Sequence, residues 1–317
     1  MEDNSLKLKI IAAFAAVYFI WGSTFLGIRF AVESIPPFLM AGVRFTIAGL
    51  LLFFWARLRG AKMPGKKQWM HAIIIGTLLL VIGNGSVVLA EQIVPSGVVS
   101  LLIAMVPVYF ALLEWLKPGG KPPGFKVAIG LLTGICGLIM LIGPDNISGK
   151  SSSINMQGVL YVIVGCLCWS IGSLYSRSQK LSESPAMGLS MQTLAAGVIL
   201  LLISCCSNEP QHLNLATLSL KSILSLGYLI VFGSLIGFSA YVWLLQTVRP
   251  TLVATYAYVN PVVAVFLGWA FAGESLNSRM IGAAAVILCA VWIITQSAAK
   301  TAPLEKKRPQ ALATNES

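Results

Sequence analysis

The chain reads as about ten separate apolar runs, each near the length that crosses a lipid bilayer, joined by short polar breaks. The runs lie near residues 9–30, 38–57, 69–90, 97–116, 125–143, 157–176, 186–205, 222–244, 252–272 and 279–297. A hydrocarbon core about 30 Å thick takes roughly 20 apolar residues per helix. With 57% hydrophobic and only 10% charged residues, a water-soluble fold would lack the polar surface to cover itself. In lipid each segment must satisfy its own backbone polar groups, so runs of this length are helices. The expected fold class is an all-α membrane protein with ten transmembrane helices. Loops this short leave no room for a soluble enzyme domain.

The basic residues report orientation. If the N-terminus is cytoplasmic, only Lys150, Lys221 and Arg279 fall in outside loops, Arg29 and Arg44 lie within helices, and the remaining 17 of 22 Lys and Arg lie inside. That positive-inside bias places both termini in the cytoplasm and requires an even helix count. It makes the chain a multi-pass plasma (inner) membrane protein whose net charge of +11 carries no nucleic-acid signal. The first run, after Lys7 and Lys9, is too long for a leader's apolar core and continues into a second span, so it is expected to be retained. All six cysteines lie in apolar runs, with neither a disulfide pattern nor metal-ligand spacing.

The chain also repeats itself. A shift of 148 residues lays Trp21 on Trp169, Arg29 on Arg177 and Gly49 on Gly197. A shift of 154 lays Gly83 on Gly237, Gln92 on Gln246, Val99 on Val253 and Pro107 on Pro261, and one of 152 lays Gly130 on Gly282. Nearly constant, ordered shifts imply one five-helix unit present twice. Five is odd, so the second copy would sit upside down relative to the first. Inverted repeats of this kind recur in secondary transporters, with the substrate site at the repeat interface near mid-membrane.

The Trp21-Gly22-Ser23 turn, Arg44-Phe45, the Val94-Pro95-Ser96-Gly97 link, Pro107, Asn260-Pro261-Val262 and Gly273-Glu274 follow one another in a definite order. In that order the chain resembles the EamA family of the drug/metabolite transporter superfamily, and within it the YedA-like branch, over roughly residues 8–297. The resemblance implies two inverted five-helix EamA repeats, at 8–143 and 157–297; residues 298–317 beyond them are expected to be a disordered cytoplasmic tail. It further implies transport of small metabolites, often as export. The chain departs from the pattern where Lys117-Pro118-Gly119-Gly120 stands in place of a Gly-Glu after the fourth run.

Pro107 and Pro261 each remove a backbone donor inside a spanning run. Irregular backbone at membrane depth belongs where it is buried in protein or lines a cavity, so both mark either a substrate site or a fixed kink. Around them Trp21, Ser23, Asn84, Trp169, Ser173, Tyr241, Tyr258 and Asn260 offer hydroxyl, indole and amide groups to a substrate or to a neighbouring helix. Ionisable groups within a bilayer cost ~2.5–3.5 kcal/mol or more at its centre and are functional candidates by default. Arg44, two turns into the second run, is a candidate for charge recognition, with snorkelling or helix-end pairing as the structural alternative. Glu91, closing the third run, is a candidate coupling carboxylate if burial raises its pKa. Gly130 and Gly134 in the fifth run, and Gly282 in the tenth, give small-residue faces for close helix packing or a homodimer seam.

Catalytic and cofactor patterns are missing. His71 and His212 are far apart and form no HExxH pair, and Gly143–Ser151 has the wrong glycine spacing for a phosphate loop. No cofactor, metal site or nucleic-acid partner is expected; the partners are a small-molecule substrate and the lipid bilayer. The sequence therefore points to a secondary-active transporter of small organic metabolites, amino acids or related compounds, most simply an exporter working by alternating access. A passive channel or facilitator and an intramembrane lipid-modifying enzyme remain as alternatives.

Overall fold

A computed structural model describes residues 2–116, 124–142, 155–179, 181–214, 216–248, 253, 256–274 and 276–301, and among these it contains helices and no strand. Among the described residues six helices are long and apolar enough to cross a membrane. They are α1 (Ser5–Ala31), α2 (Pro37–Leu58), α3 (Lys66–Ala90), α7 (Met156–Ser178), α8 (Pro185–Cys206) and α9 (Leu220–Thr247). Between and after them run α4 (Ser96–Ile103), α5 (Val106–Leu116), α6 (Phe125–Ile142), α10 (Tyr256–Ala272) and α11 (Ser278–Thr301).

Local chemistry explains the helix ends. Pro37 and Pro185 sit in the first turns of α2 and α8, where a missing N–H is harmless. Asn155 caps α7 by accepting from the Gln157 and Gly158 N–H groups, and Ser219 caps α9 through the Ser222 N–H. Gly273 stops α10 in the left-handed region at φ 66°, which a side chain would oppose.

Where the sequence suggests one helix over 97–116, the structure has two. Met105 and Val108 donate to carbonyls three residues back, Leu102 and Met105 respectively, and the chain turns there before α5 begins. Pro107 accounts for the break, because in a continuous helix its ring would strike the Ile103 carbonyl and it has no N–H to offer. Across Pro261, by contrast, α10 stays helical.

Small residues bring the helices together. A Cβ on Gly42 would lie 2.8 Å from Leu201 Cγ, and one on Gly49 2.7 Å from Leu194 Cγ, so α2 and α8 pack almost backbone to backbone. Gly197 meets the main chain of Thr46 from the other side. The same device joins α6 to α11, where Gly137 abuts Ile287 and Gly282 abuts Met140. Gly134, one of the residues of the small face read from sequence, packs on Met105 and Ala290 of its own chain. Large apolar side chains such as Phe54, Leu132, Trp269 and Phe271 point outward, while Arg44, Glu91, Ser173 and Asn260 are buried inside. This is the distribution expected when lipid is the solvent.

Three stretches depart from α geometry within the long helices: Ala16–Ile20 in α1, Thr77–Asn84 in α3 and Leu229–Gly237 in α9 are wound as π-helix. Such expanded turns cluster at functional sites because each redirects the side chains that follow.

Candidate functional site

All three π stretches end on one hollow. Trp21 follows the first, Gly83 and Asn84 close the second, and Gly233 and Ser234 belong to the third. The hollow spans about 770 Å³, open space at its mouth included, and its wall is mostly apolar with a few polar groups, as in small-molecule sites. On its wall α1 presents Trp21, Thr24, Phe25 and Ile28, and α2 presents Arg44 and Phe45. Across from them stand Cys166 and Trp169 of α7, Phe238 of α9, and Tyr256 and Asn260 of α10. Ile103 and Val106, on either side of the α4–α5 break, complete it.

Aromatic contacts hold the wall. Trp21 meets Trp169 edge to face at 5.8 Å, Tyr256 at 5.5 Å and Tyr241 at 4.8 Å between ring centroids. Its indole N–H donates to the Gly233 carbonyl at 3.3 Å, tying α1 to the π turn of α9. Gly237 leaves room for that indole, since a Cβ there would lie 2.6 Å from the Trp21 nitrogen. With its amide oriented to match the two acceptors around it, the Asn260 nitrogen donates to the Tyr18 and Tyr256 carbonyls at 3.0 and 3.2 Å.

Three polar groups of the wall, on Arg44, Asn84 and Trp169, are not fully used among the described residues. Arg44 is 4% exposed; its Nε donates to Ser234 Oγ at 2.8 Å and its guanidinium lies 4.9 Å from the Phe45 ring centre. Among the described residues its Nη1 has no hydrogen-bond partner, and neither has Asn84 Oδ1. Among the described residues no carboxylate pairs with Arg44.

Of the residues singled out from sequence, Trp21, Asn84, Trp169, Asn260 and Arg44 converge on the hollow. Ser23 turns away to bond the Ile20 carbonyl and the Tyr228 hydroxyl. Ser173 and Tyr241 are buried behind the wall, Tyr241 against the two tryptophans. Pro107 and Pro261 are one residue removed from wall residues Val106 and Asn260 and shape the backbone there. The Tyr258 side chain lies outside the described residues.

Glu91 sits elsewhere, at the end of the bundle where α3 stops. It is 1% exposed, and neither carboxylate oxygen has a hydrogen bond. Burial pushes its carboxyl well above the usual range; the nearby Glu274 adds to the effect and Arg29 opposes it. Glu274 itself straddles the start of α4. Its Oε1 accepts from the Ser96 N–H at 2.9 Å and Ser96 Oγ at 2.7 Å, and its Oε2 from the Gly97 N–H at 3.1 Å. A carboxylate on a helix N-terminus meets free N–H groups and the positive end of the helix dipole. Arg29 Nε lies 3.6 Å away.

The same end is tied twice more. Glu209 accepts from the Phe38 and Leu39 N–H groups at 3.1 and 2.7 Å, and Lys221 pairs with Glu33. Glu274 and Glu209 escaped the sequence reading as functional residues. The only signal was indirect: Pro95-Ser96-Gly97 and Gly273-Glu274 were both noticed as motifs, and they prove to be two halves of one contact.

The EamA-like transporter family model matches residues 8–143 and again 156–296. The chain belongs to that family. It is 40% identical, over 91% of both chains, to the uncharacterized inner membrane transporter YedA of Escherichia coli strain K12. It is 25% identical to the uncharacterized transporter YoaV of Bacillus subtilis, over 91% of this chain and 97% of that one. One solved crystal structure shares the fold with a TM-score of 0.63 at 19% identity, covering 91% of this chain and 97% of the other.

Proposed function

We propose that this protein is a secondary-active transporter of small organic metabolites, amino acids or related compounds, exporting them by alternating access. Ten spans would form two inverted five-helix repeats with both termini in the cytoplasm. The observation that carries this reading is the hollow itself. Its wall is drawn from both matched stretches and combines aromatic faces with buried, incompletely bonded polar groups. Two π stretches support the duplication, because Thr77–Asn84 and Leu229–Gly237 fall at corresponding places of the two units.

In this reading the tied end faces outward, since the positive-inside bias puts the loops around residues 33, 209, 221 and 274 outside. The Glu274, Glu209 and Lys221 contacts then act as an outer latch, and opening requires α4 to leave Glu274. The named relatives being transporters supports the class of activity. Counterflow in vesicles containing the purified protein is the test, using a panel of amino acids and related metabolites with and without a proton gradient. Saturable uptake stimulated by substrate on the far side is expected. Flux that rises linearly with concentration would mean a channel instead.

A further inference from the structure

The hollow holds a charge that no carboxylate among the described residues balances. Arg44 is almost fully buried and faces the hollow, Ser234 satisfies only its Nε, and Nη1 is unpartnered. Leaving a cation in this state is costly unless an anion arrives to meet it. The surroundings keep the guanidinium in place. Gly233 provides clearance, since a Cβ there would sit 2.9 Å from Arg44 Nη2, and Phe45 packs against the charged face. A side chain that merely snorkels would reach toward water, whereas this one is 4% exposed.

We propose that Arg44 receives the carboxylate of the transported molecule, so that the substrates are organic acids or zwitterions with an apolar, often aromatic, body. The planar fork of a guanidinium matches the two oxygens of a carboxylate. Trp21, Trp169 and Phe238 supply faces for the apolar body. The unpartnered Asn84 Oδ1 is an acceptor for an ammonium, amide or hydroxyl hydrogen on the same ligand. The inference rests on the reading of the hollow as the substrate site and deepens it. Cations and plain hydrocarbons are excluded by it.

The test uses purified full-length protein in detergent and tryptophan fluorescence, with protein-free micelles as blanks. The probes are 3-phenylpropionate and its neutral twin 3-phenylpropanamide. The wild type should bind the acid roughly 10- to 100-fold more tightly than the amide, the range of a charge-assisted bond. Arg44→Gln should erase that difference, chiefly by weakening binding of the acid, and Arg44→Lys should retain part of it. Equal binding of acid and amide by the wild type, no binding of either, or a preference that survives Arg44→Gln would each overturn the assignment. The wild-type comparison needs no variant, so a misfolded Arg44→Gln protein does not protect the idea. Vesicles separate the two layers of the argument. Arg44-dependent acid preference without saturable counterflow sinks the transporter reading and keeps the anion site; saturable counterflow without acid preference sinks the Arg44 assignment alone.

Discussion

Replacing Glu274 by Gln should loosen one end of the bundle by a calculable amount. The carboxylate now accepts three hydrogen bonds, from the Ser96 N–H, Ser96 Oγ and the Gly97 N–H. Glutamine keeps one oxygen for Ser96 but sets an NH2 group against the Gly97 donor, so one charge-assisted bond is lost and two donors face each other. A hydrogen bond to a charged group is worth about 1.5–3 kcal/mol. The ion pair with Arg29 adds little, because the arginine side chain is 34% exposed. A loss of about 2–3 kcal/mol shifts the balance toward the open end by roughly 30- to 150-fold. Cys166, on the wall of the hollow and 4% exposed, is a native reporter. With Cys136, Cys168, Cys205, Cys206 and Cys289 changed to serine, a membrane-impermeant thiol reagent added outside cells should modify Cys166 faster in Glu274→Gln, by a factor of roughly 10 or more. Unchanged labelling of a correctly inserted variant would refute the latch. Acceleration only from the cytoplasmic side would keep the latch and reverse the orientation.

Pro107→Ala permits α4 and α5 to fuse, and Pro261→Ala adds a donor beside Asn260; each should reduce counterflow by about tenfold or more while membrane insertion, read by surface biotinylation, stays intact. Loss of insertion alone would make the prolines purely structural. Gly197→Val forces a side chain onto the Thr46 main chain and should cost about 1–3 kcal/mol, seen as a lower melting temperature in detergent. Glu91 supplies a pH dependence whose sign follows from its raised carboxyl. An opened end exposes Glu91 to water and returns it to the ordinary range, so the closed form binds the proton more tightly. Closure is then fully supported below the ordinary carboxylate pKa and weakens as pH rises through the raised value. Outside labelling of Cys166, taken relative to Glu91→Gln at each pH, should speed up with rising pH; a flat ratio would remove Glu91 from the latch.

Much of the architecture is legible in the sequence because lipid imposes it. A run such as 38–57 has to be helical to satisfy its own backbone, and the structure has α2 at Pro37–Leu58. The side chains that line the hollow were only half legible. Trp21, Trp169, Asn84, Asn260 and Arg44 stand out as polar or aromatic groups at depth, and they converge. Ser23 and Tyr241 look the same in one dimension, yet one bonds within and between helices and the other packs behind the wall. What separates them is helix phase, and the π stretches alter that phase. Each expanded turn adds residues that a fixed 3.6-residue period does not count, so Asn84 faces inward after eight π-wound residues in a way no helical wheel drawn from Lys66 would show.

The latch was illegible for a different reason. Glu274 and Ser96 are 178 residues apart and neither looks unusual alone: an acid after a helix-ending glycine reads as solvated, and a Pro-Ser-Gly link reads as a turn. Their meaning comes from the fold, which carries the end of α10 onto the exposed N–H groups that open α4. That contact also explains why Glu91 can be buried without a partner. With Glu274 engaged on the helix terminus, its charge is spoken for by Ser96 and Gly97, and the nearby Arg29 has Glu274 rather than Glu91 within ion-pair distance. Burial and the neighbouring charge of Glu274 both raise the Glu91 carboxyl, so each works against its ionisation there. In the proposed latch a proton on Glu91 and the grip of Glu274 on the helix support the same closure, so the effects of Glu91→Gln and Glu274→Gln on labelling should fail to add in the double variant.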